Sequence, residues 1–307
     1  MELVIQNAGM TDFWGIEDGY RLISEAGFTG IDWNWGPIWD KEKLIKKKEI
    51  PYCIFDEPFE KVLEVYQPEL DTMRRYGLWP MQAHAPSPAY VPGFAEATEF
   101  ALRTYRTAIK MCDYAKVRWL VIHGSSLNVE NRLDTKETMR SRNYRLFESL
   151  IPDLLETDVV VCLENLFSRY RDQIMEGTCS VAEEAVEYID RLNEKAGKKC
   201  FAFCLDTGHL NVLGKNPKTF IHTLGSRIEI LHLHDNRGWN DDHLAPYTGS
   251  IIWKDVLDAL KEVGYNGNLS FETFRQMELT RLDREVVPIW LRTIHDIGEV
   301  FRKKLEA

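Results

Sequence analysis

The sequence predicts an α/β protein, a single (β/α)8 TIM barrel with a parallel eight-stranded sheet. Three observations carry that prediction. Short runs rich in Val, Ile, Leu, Phe and Cys alternate with longer segments of helical period along the chain, the pattern of repeated βα units. There are eight such runs, each followed by a helical segment, which matches a closed barrel. The G-x-G-x-x-G turn that would support an open dinucleotide-binding sheet is absent after the first run.

Taken in order, strands are expected at Leu3–Asn7, Gly30–Asn34, Leu78–His84, Trp119–His123, Val159–Glu164, Ala202–Asp206, Ile228–His234 and Leu269–Glu272. Helices are expected near 16–27, 57–76, 94–115, 135–156, 180–196, 216–224, 252–263 and 280–304. Gly27, Gly77 and Gly264 stand where helices should stop ahead of a strand. Ser180 lies three residues before Glu183, in capping-box spacing. The lysine-rich stretch 40–49 lacks interleaved aromatics and reads as a solvated insertion. No Pro/Gly/Ser-rich linker divides the chain, so residues 1–307 are expected to form one domain.

Composition narrows the classes. The 307 residues are 44% hydrophobic and 28% charged, with a formal net charge of −10. A chain of this length can bury a sizeable core, so disordered, collagen-like and small disulfide-scaffold readings fall away. No apolar run approaches the ~20 residues that span a bilayer. The start Met1-Glu2-Leu3-Val4-Ile5 lacks a basic signal region, which predicts a cytoplasmic protein with no membrane partner. The acidic balance argues against nucleic acid as a partner, because phosphate backbones are held by clustered Lys and Arg. Six cysteines, at 53, 112, 162, 179, 200 and 204, form no C-x-x-C pair and read as core thiols. A homo-oligomer is compatible with the sequence.

The informative residues stand at strand ends. His84, His123, Glu164, Asp206, His232 and Glu272 follow one another at intervals of 39, 41, 42, 26 and 40 residues. In a barrel, that repeat brings all six to one mouth. Imidazoles and carboxylates there suit a divalent metal such as Mn2+, Co2+, Zn2+ or Mg2+, and buried ionisable groups of this kind make physical sense around a shared cation. Asp206 and His209 form D-x-x-H, and Asp241 and His243 form D-x-H in the next loop, an additional candidate metal pair. Phe13, Trp14, Trp33, Trp35 and Trp39 offer apolar ring faces for a substrate. Arg169 and Arg237, each five residues past a strand-end ligand, are candidates for a substrate hydroxyl or phosphate.

With C-L-E-N at 162–165, C-L-D-T-G-H-L at 204–210, L-H-L-H-D-N at 231–236 with D-D-H-L downstream, and L-S-F-E-T at 269–273, the chain resembles the xylose isomerase-like TIM-barrel superfamily. Within it, the chain looks like the sugar phosphate isomerase/epimerase group, related to ketose 3-epimerases. The resemblance implies a metal held by Glu164, Asp206, His232 and Glu272, with Glu164 and Glu272 as the proton-transfer pair. It places His209 against substrate oxygens, with His84, His123, Arg237, Trp14, Trp33 and Trp35 as further substrate-binding candidates. The implied reaction is isomerisation or epimerisation of a sugar or sugar derivative through a metal-stabilised enediolate.

Two other activities on the same barrel stay open. One is an endonuclease IV-like trinuclear zinc nuclease acting at abasic sites, for which His84, His123, Glu164, Asp206, His209, His232, Asp241, His243 and Glu272 would supply nine ligands. The other is a sugar-acid or inosose-type dehydratase or lyase. Against the nuclease, Tyr247-Thr248-Gly249 stands where that pattern has a Gly-Glu-Gly-like turn. A silent sugar-binding barrel is the non-enzymatic reading, and retention of both glutamates opposes it.

Overall fold

The computed structural model describes the chain apart from residues 37, 126, 127, 130, 131, 281, 282 and 284. The strands are β1 (Leu3–Gln6), β2 (Gly30–Asn34), β3 (Trp79–His84), β4 (Trp119–Val121), β5 (Asn128–Val129), β6 (Arg132–Leu133), β7 (Val160–Glu164), β8 (Phe167–Tyr170), β9 (Gln173–Glu176), β10 (Phe201–Asp206), β11 (Ile228–His232) and β12 (Leu269–Phe271). The helices are α1 (Thr11–Ala26), α2 (Phe59–Arg75), α3 (Glu96–Ala115), α4 (Lys136–Glu148), α5 (Ile151–Leu155), α6 (Ala182–Ala196), α7 (Thr207–Val212), α8 (Pro217–Leu224), α9 (Trp253–Glu262), α10 (Phe274–Thr280) and α11 (Val287–Glu306). Eight strands form one sheet in the order β11-β10-β7-β4-β3-β2-β1-β12. With helices between them this is the (β/α)8 barrel expected from the sequence. The chain separates into two compact units, described in turn.

The first unit comprises residues 1–34, 69–82 and 203–307. β1 lies between two parallel neighbours, pairing Ile5 with Ile31 on β2 and with Phe271 on β12. That register sets Gln6 level with Asp32. On the other side, β10 and β11 pair in parallel with Asp206 level with His232. β11 is carried onward by Leu233, whose N–H donates to Ser270 O at 2.8 Å and whose carbonyl accepts from Glu272 N at 3.1 Å. Strand ends that carry Asp206, His232 and Glu272 are thereby fixed by backbone hydrogen bonds.

Behind these strands Phe271, Trp253 and Phe301 are fully or almost fully buried, with the Trp253 and Phe301 rings 5.1 Å apart. Complete burial of a side chain like Phe271 is worth about 1.5–3 kcal/mol. α1 stops at Gly27, whose φ of 108° lies in the left-handed region. A Cβ there would stand 2.7 Å from His295 Nε2, so a close approach as well as the backbone angle demands glycine.

The second unit comprises residues 35–68 and 83–202. β4 and β7 pair in parallel with Val121 level with Cys162, and Ala85 N donates to Val121 O at 2.9 Å. A buried network ties the loop after β4 to α4. Asn143 Oδ1 accepts from Ser125 N and Oγ, both at 2.7 Å, while Asn143 Nδ2 donates to Thr178 Oγ1 at 2.8 Å. Immediately past Glu164, β8 and β9 form an antiparallel hairpin with Phe167 level with Glu176, an element not expected from the sequence.

Other departures have local causes. The helix expected at 135–156 is two, because Pro152 in the first turn of α5 cannot continue α4. α4 starts on Thr135, whose hydroxyl accepts from Thr138 N. Ser180 does not cap α6. Val181 is the N-cap, and Ser180 Oγ donates to Gly177 O at 2.9 Å. Part of the helix expected at 280–304 falls outside the described residues, and the observed helix runs over Val287–Glu306. All six cysteines are free and buried. Among the described residues no helix is long and apolar enough to cross a membrane.

Candidate metal centre

In the first unit, Asp206 ends β10 and at once caps α7. Its Oδ1 accepts from His209 N at 2.6 Å, so the D-x-x-H spacing is also an N-cap spanning three residues. Oδ2 lies 3.0 Å from His234 Nε2 in a fully buried hydrogen bond. His232 Nδ1 stands 3.5 Å from Glu272 Oε2 and 4.0 Å from Asp206 Oδ2. Its other nitrogen, Nε2, lies 3.1 Å from Asp32 Oδ2. Asp32 is fully buried and also accepts from Gln82 Nε2 at 2.8 Å. A carboxylate behind an imidazole is a common way to orient a metal-binding histidine.

The loop after β11 adds Asp241 and His243. His243 Nδ1 donates to the Glu272 backbone carbonyl at 3.0 Å, which turns Nε2 toward Asp241 Oδ2 at 2.9 Å. His209 Nε2 reaches the same oxygen at 3.3 Å. The His234 and His243 rings stack 4.0 Å apart. Gly208 makes room for this, since a Cβ there would lie 1.9 Å from the His234 ring.

The electrostatics follow from crowding. Burial pushes the Asp241 carboxyl up, and the His209 and His243 imidazoles outweigh it, holding it well below the usual carboxylate range. Burial lowers the His243 imidazole, but Glu272 and Asp241 outweigh that effect and raise it to about 9. A proton therefore sits where several acceptors converge, the electrostatic setting that also favours a bound cation.

In the second unit, His84, His123 and Glu164 converge. His84 Nε2 is 3.0 Å from His123 Nε2, which is 2.9 Å from Glu164 Oε2. His84 Nδ1 donates to the Ala85 carbonyl at 2.8 Å, so in the neutral ring Nε2 is the nitrogen that carries the lone pair. Glu164 is 2% exposed.

The donor sets fit a metal. His84, His123 and Glu164 offer ligand atoms within 4.8 Å of one another, as do Asp206, His234 and Glu272, and also His209, His234, Asp241 and His243. Nitrogen and oxygen donors of this kind suit first-row divalent ions.

Other candidates lie elsewhere. Trp33 and Trp35 are 0% and 3% exposed, and Trp35 packs edge-on to Phe55 at 5.0 Å. Their rings are core packing, a correction to the expected open stacking faces. Trp39 likewise packs against Phe100. Trp14 is half-buried and Phe13 is exposed. Arg169 is exposed over the Phe167 ring. Arg237 is exposed and lines a cavity of about 440 Å³ with Asp242, Leu244, Arg275 and Glu278.

His234, Gln6 and Asp32 join the candidate site in the structure without having been singled out by strand-end spacing. In an extended chain His232 and His234 face the same side, so the L-H-L-H run held the signal for His234. Asp32 is an isolated polar residue between Ile31 and Trp33, and Gln6 with Asn7 closes an apolar run, which marks a buried polar role without saying which.

Comparison with known proteins adds sequence relatives and solved structures of similar fold. An uncharacterized protein y4fM of Sinorhizobium fredii is 25% identical over 84% of this chain and 81% of its own length. A D-psicose 3-epimerase of Enterocloster bolteae is 30% identical over 53% of this chain and 49% of its own. Among solved structures, the IOLI protein with a binding zinc atom superposes with a TM-score of 0.68 at 17% identity, over 99% of this chain and 98% of that one. The sequence pattern described as xylose isomerase-like TIM barrel matches residues 20–294. The chain therefore belongs to the xylose isomerase-like TIM-barrel family.

Proposed function

We propose that this protein is a metal-dependent isomerase or epimerase of a sugar or sugar derivative. The observation that carries the reading is the convergence of Asp206, His234 and Glu272 within 4.8 Å, with His232 Nδ1 3.5 Å from Glu272. The D-psicose 3-epimerase relative and the zinc in the IOLI structure support it. The proposed ligands are Glu164, Asp206, His232 and Glu272. His234 competes for the histidine place, being the nearer of the two imidazoles to Asp206.

A divalent cation in this donor set supplies polarisation of a ketone oxygen and its neighbouring hydroxyl, easing proton loss from the adjacent carbon. Glu164 and Glu272 are the proposed proton carriers, one removing the C–H proton and the other returning one. Return to the same carbon epimerises, and return to its neighbour isomerises. His84, His123 and His209 are proposed to hold substrate oxygens, with Arg237 and Trp14 as outer contacts. Binding of metal and turnover of a ketose panel in deuterated water test this. About one ion per chain and deuterium at the reacting carbon are expected. A chain that binds metal but leaves every sugar unlabelled contradicts it.

A second reading has its own observation. The group His209, His234, Asp241 and His243 and the group His84, His123 and Glu164 give more candidate ligands than one ion needs. Three bound zinc ions and cleavage of abasic DNA would favour the nuclease. Loss of water or carbon–carbon cleavage in the products would favour a dehydratase or lyase.

A further inference from the structure

The two oxygens of Glu272 are served differently. Oε1 accepts from Gln6 Nε2 at 2.5 Å, in a buried hydrogen bond from β1 to the end of β12. Oε2 makes no hydrogen bond among the described residues and lies 3.5 Å from His232 Nδ1 and 3.6 Å from His243 Nδ1. Gln6 is 2% exposed, and its backbone is fixed by parallel pairing level with Asp32. Its own carbonyl oxygen is buried with no hydrogen-bond partner among the described residues. The reverse amide orientation would bring that oxygen against Oε1, two acceptors 2.5 Å apart, so Nε2 must face Glu272.

We propose that Gln6 is the positioning residue of Glu272: it immobilises one carboxylate oxygen and leaves Oε2 to work. An amide suits this task. Arg or Lys would orient the carboxylate equally well, but would cancel the charge a cation needs and weaken the base. Gln donates the hydrogen bond without carrying charge, and it does not titrate. A buried polar side chain with one end unmatched is otherwise unfavourable in a strand packed among apolar residues. The inference rests on the reading of Glu272 as ligand and base, and its test includes a readout that does not.

Gln6→Met keeps the bulk and removes the donor, whereas Gln6→Asn keeps the amide but is one methylene short. The first readout is the crystal structure of each metal-free variant. Glu272 is expected to leave its parental rotamer or to occupy two, and a single unchanged rotamer in either variant overturns the proposal whatever the protein catalyses. The second is Mn2+ affinity by titration calorimetry, with melting temperature as the check on folding. Affinity is expected to fall about 10–100-fold. Affinity within twofold of the parent, in a folded variant whose parent binds Mn2+, also overturns it. If the parent binds no Mn2+, the metal reading fails and the rotamer result still decides the role of Gln6. On a turned-over ketose, kcat is expected to fall more than KM rises, whereas a general packing defect would move melting temperature with both.

Discussion

The two clusters of candidate ligands are assembled by different rules. In the second unit, three successive strand ends contribute one group each: His84, His123 and Glu164, at intervals of 39 and 41 residues. One carboxylate there serves two imidazoles. In the first unit, the ends of β10 and β11 and the segments after them contribute more than one group each. Asp206 ends a strand and caps a helix that carries His209, the chain runs on past β11 from His232 to His234, and the next loop brings Asp241 and His243 back to the Glu272 carbonyl. Three carboxylates then crowd four imidazoles, and the resulting field holds a proton on His243 up to about 9. The lesson is that a barrel's repeat supplies spacing, while local devices such as a helix cap, a two-residue strand period and a short loop supply charge density.

That contrast predicts unequal responses. The largest is chemical: Glu272→Gln is expected to lower turnover by about 10²–10⁴-fold, and His84→Gln in the other cluster by clearly less. Steady-state kinetics on an accepted ketose measure both, and the reverse order would break the comparison. Next, Gly208→Ala sets a Cβ against the His234 ring. Divalent metal affinity is expected to fall about 10–100-fold, as read by chelator competition.

A smaller effect concerns protons. Asp241→Asn removes one of the carboxylates that raise His243, so NMR titration of the metal-free protein should find the His243 pKa below its parental value of about 9. In the parent, the charged His243 imidazole beside Glu272 repels a cation bound there, so metal affinity should weaken as pH falls below about 9 and proton release should accompany binding. An affinity flat between pH 6 and 9 would contradict the crowding argument. The smallest effect lies away from both clusters. Thr135→Ala removes the α4 cap and is expected to cost about 1 kcal/mol of stability in thermal or denaturant unfolding, with metal affinity unchanged.

These contrasts also explain what could be read from residues alone. The eight barrel strands were legible because buried parallel strands are apolar runs, and the strand-end ligand candidates because polar groups punctuate those runs at a regular interval. The β8–β9 hairpin was not, since F-S-R-Y and Q-I-M-E carry no clean alternation of polarity. α7 and α10 were missed because six or seven residues are too few to show a helical period. Trp33 and Trp35 were misread as open faces because strand position alone does not tell a ring lining a cavity from one filling the core. Gln6 and Asp32 needed three-dimensional neighbours, Glu272 and His232, that lie 266 and 200 residues away in the chain.

The proposed role of the first unit is that Asp206 and Glu272, with His232 or His234, hold a divalent cation that serves proton transfer. Anomalous difference density from crystals soaked in Mn2+ tests it most directly. One well-occupied ion is expected, ligated by Asp206 and Glu272, with His232 or His234 as its imidazole ligand. Density confined to other residues, or none at Asp206 and Glu272 at saturating Mn2+, would contradict it.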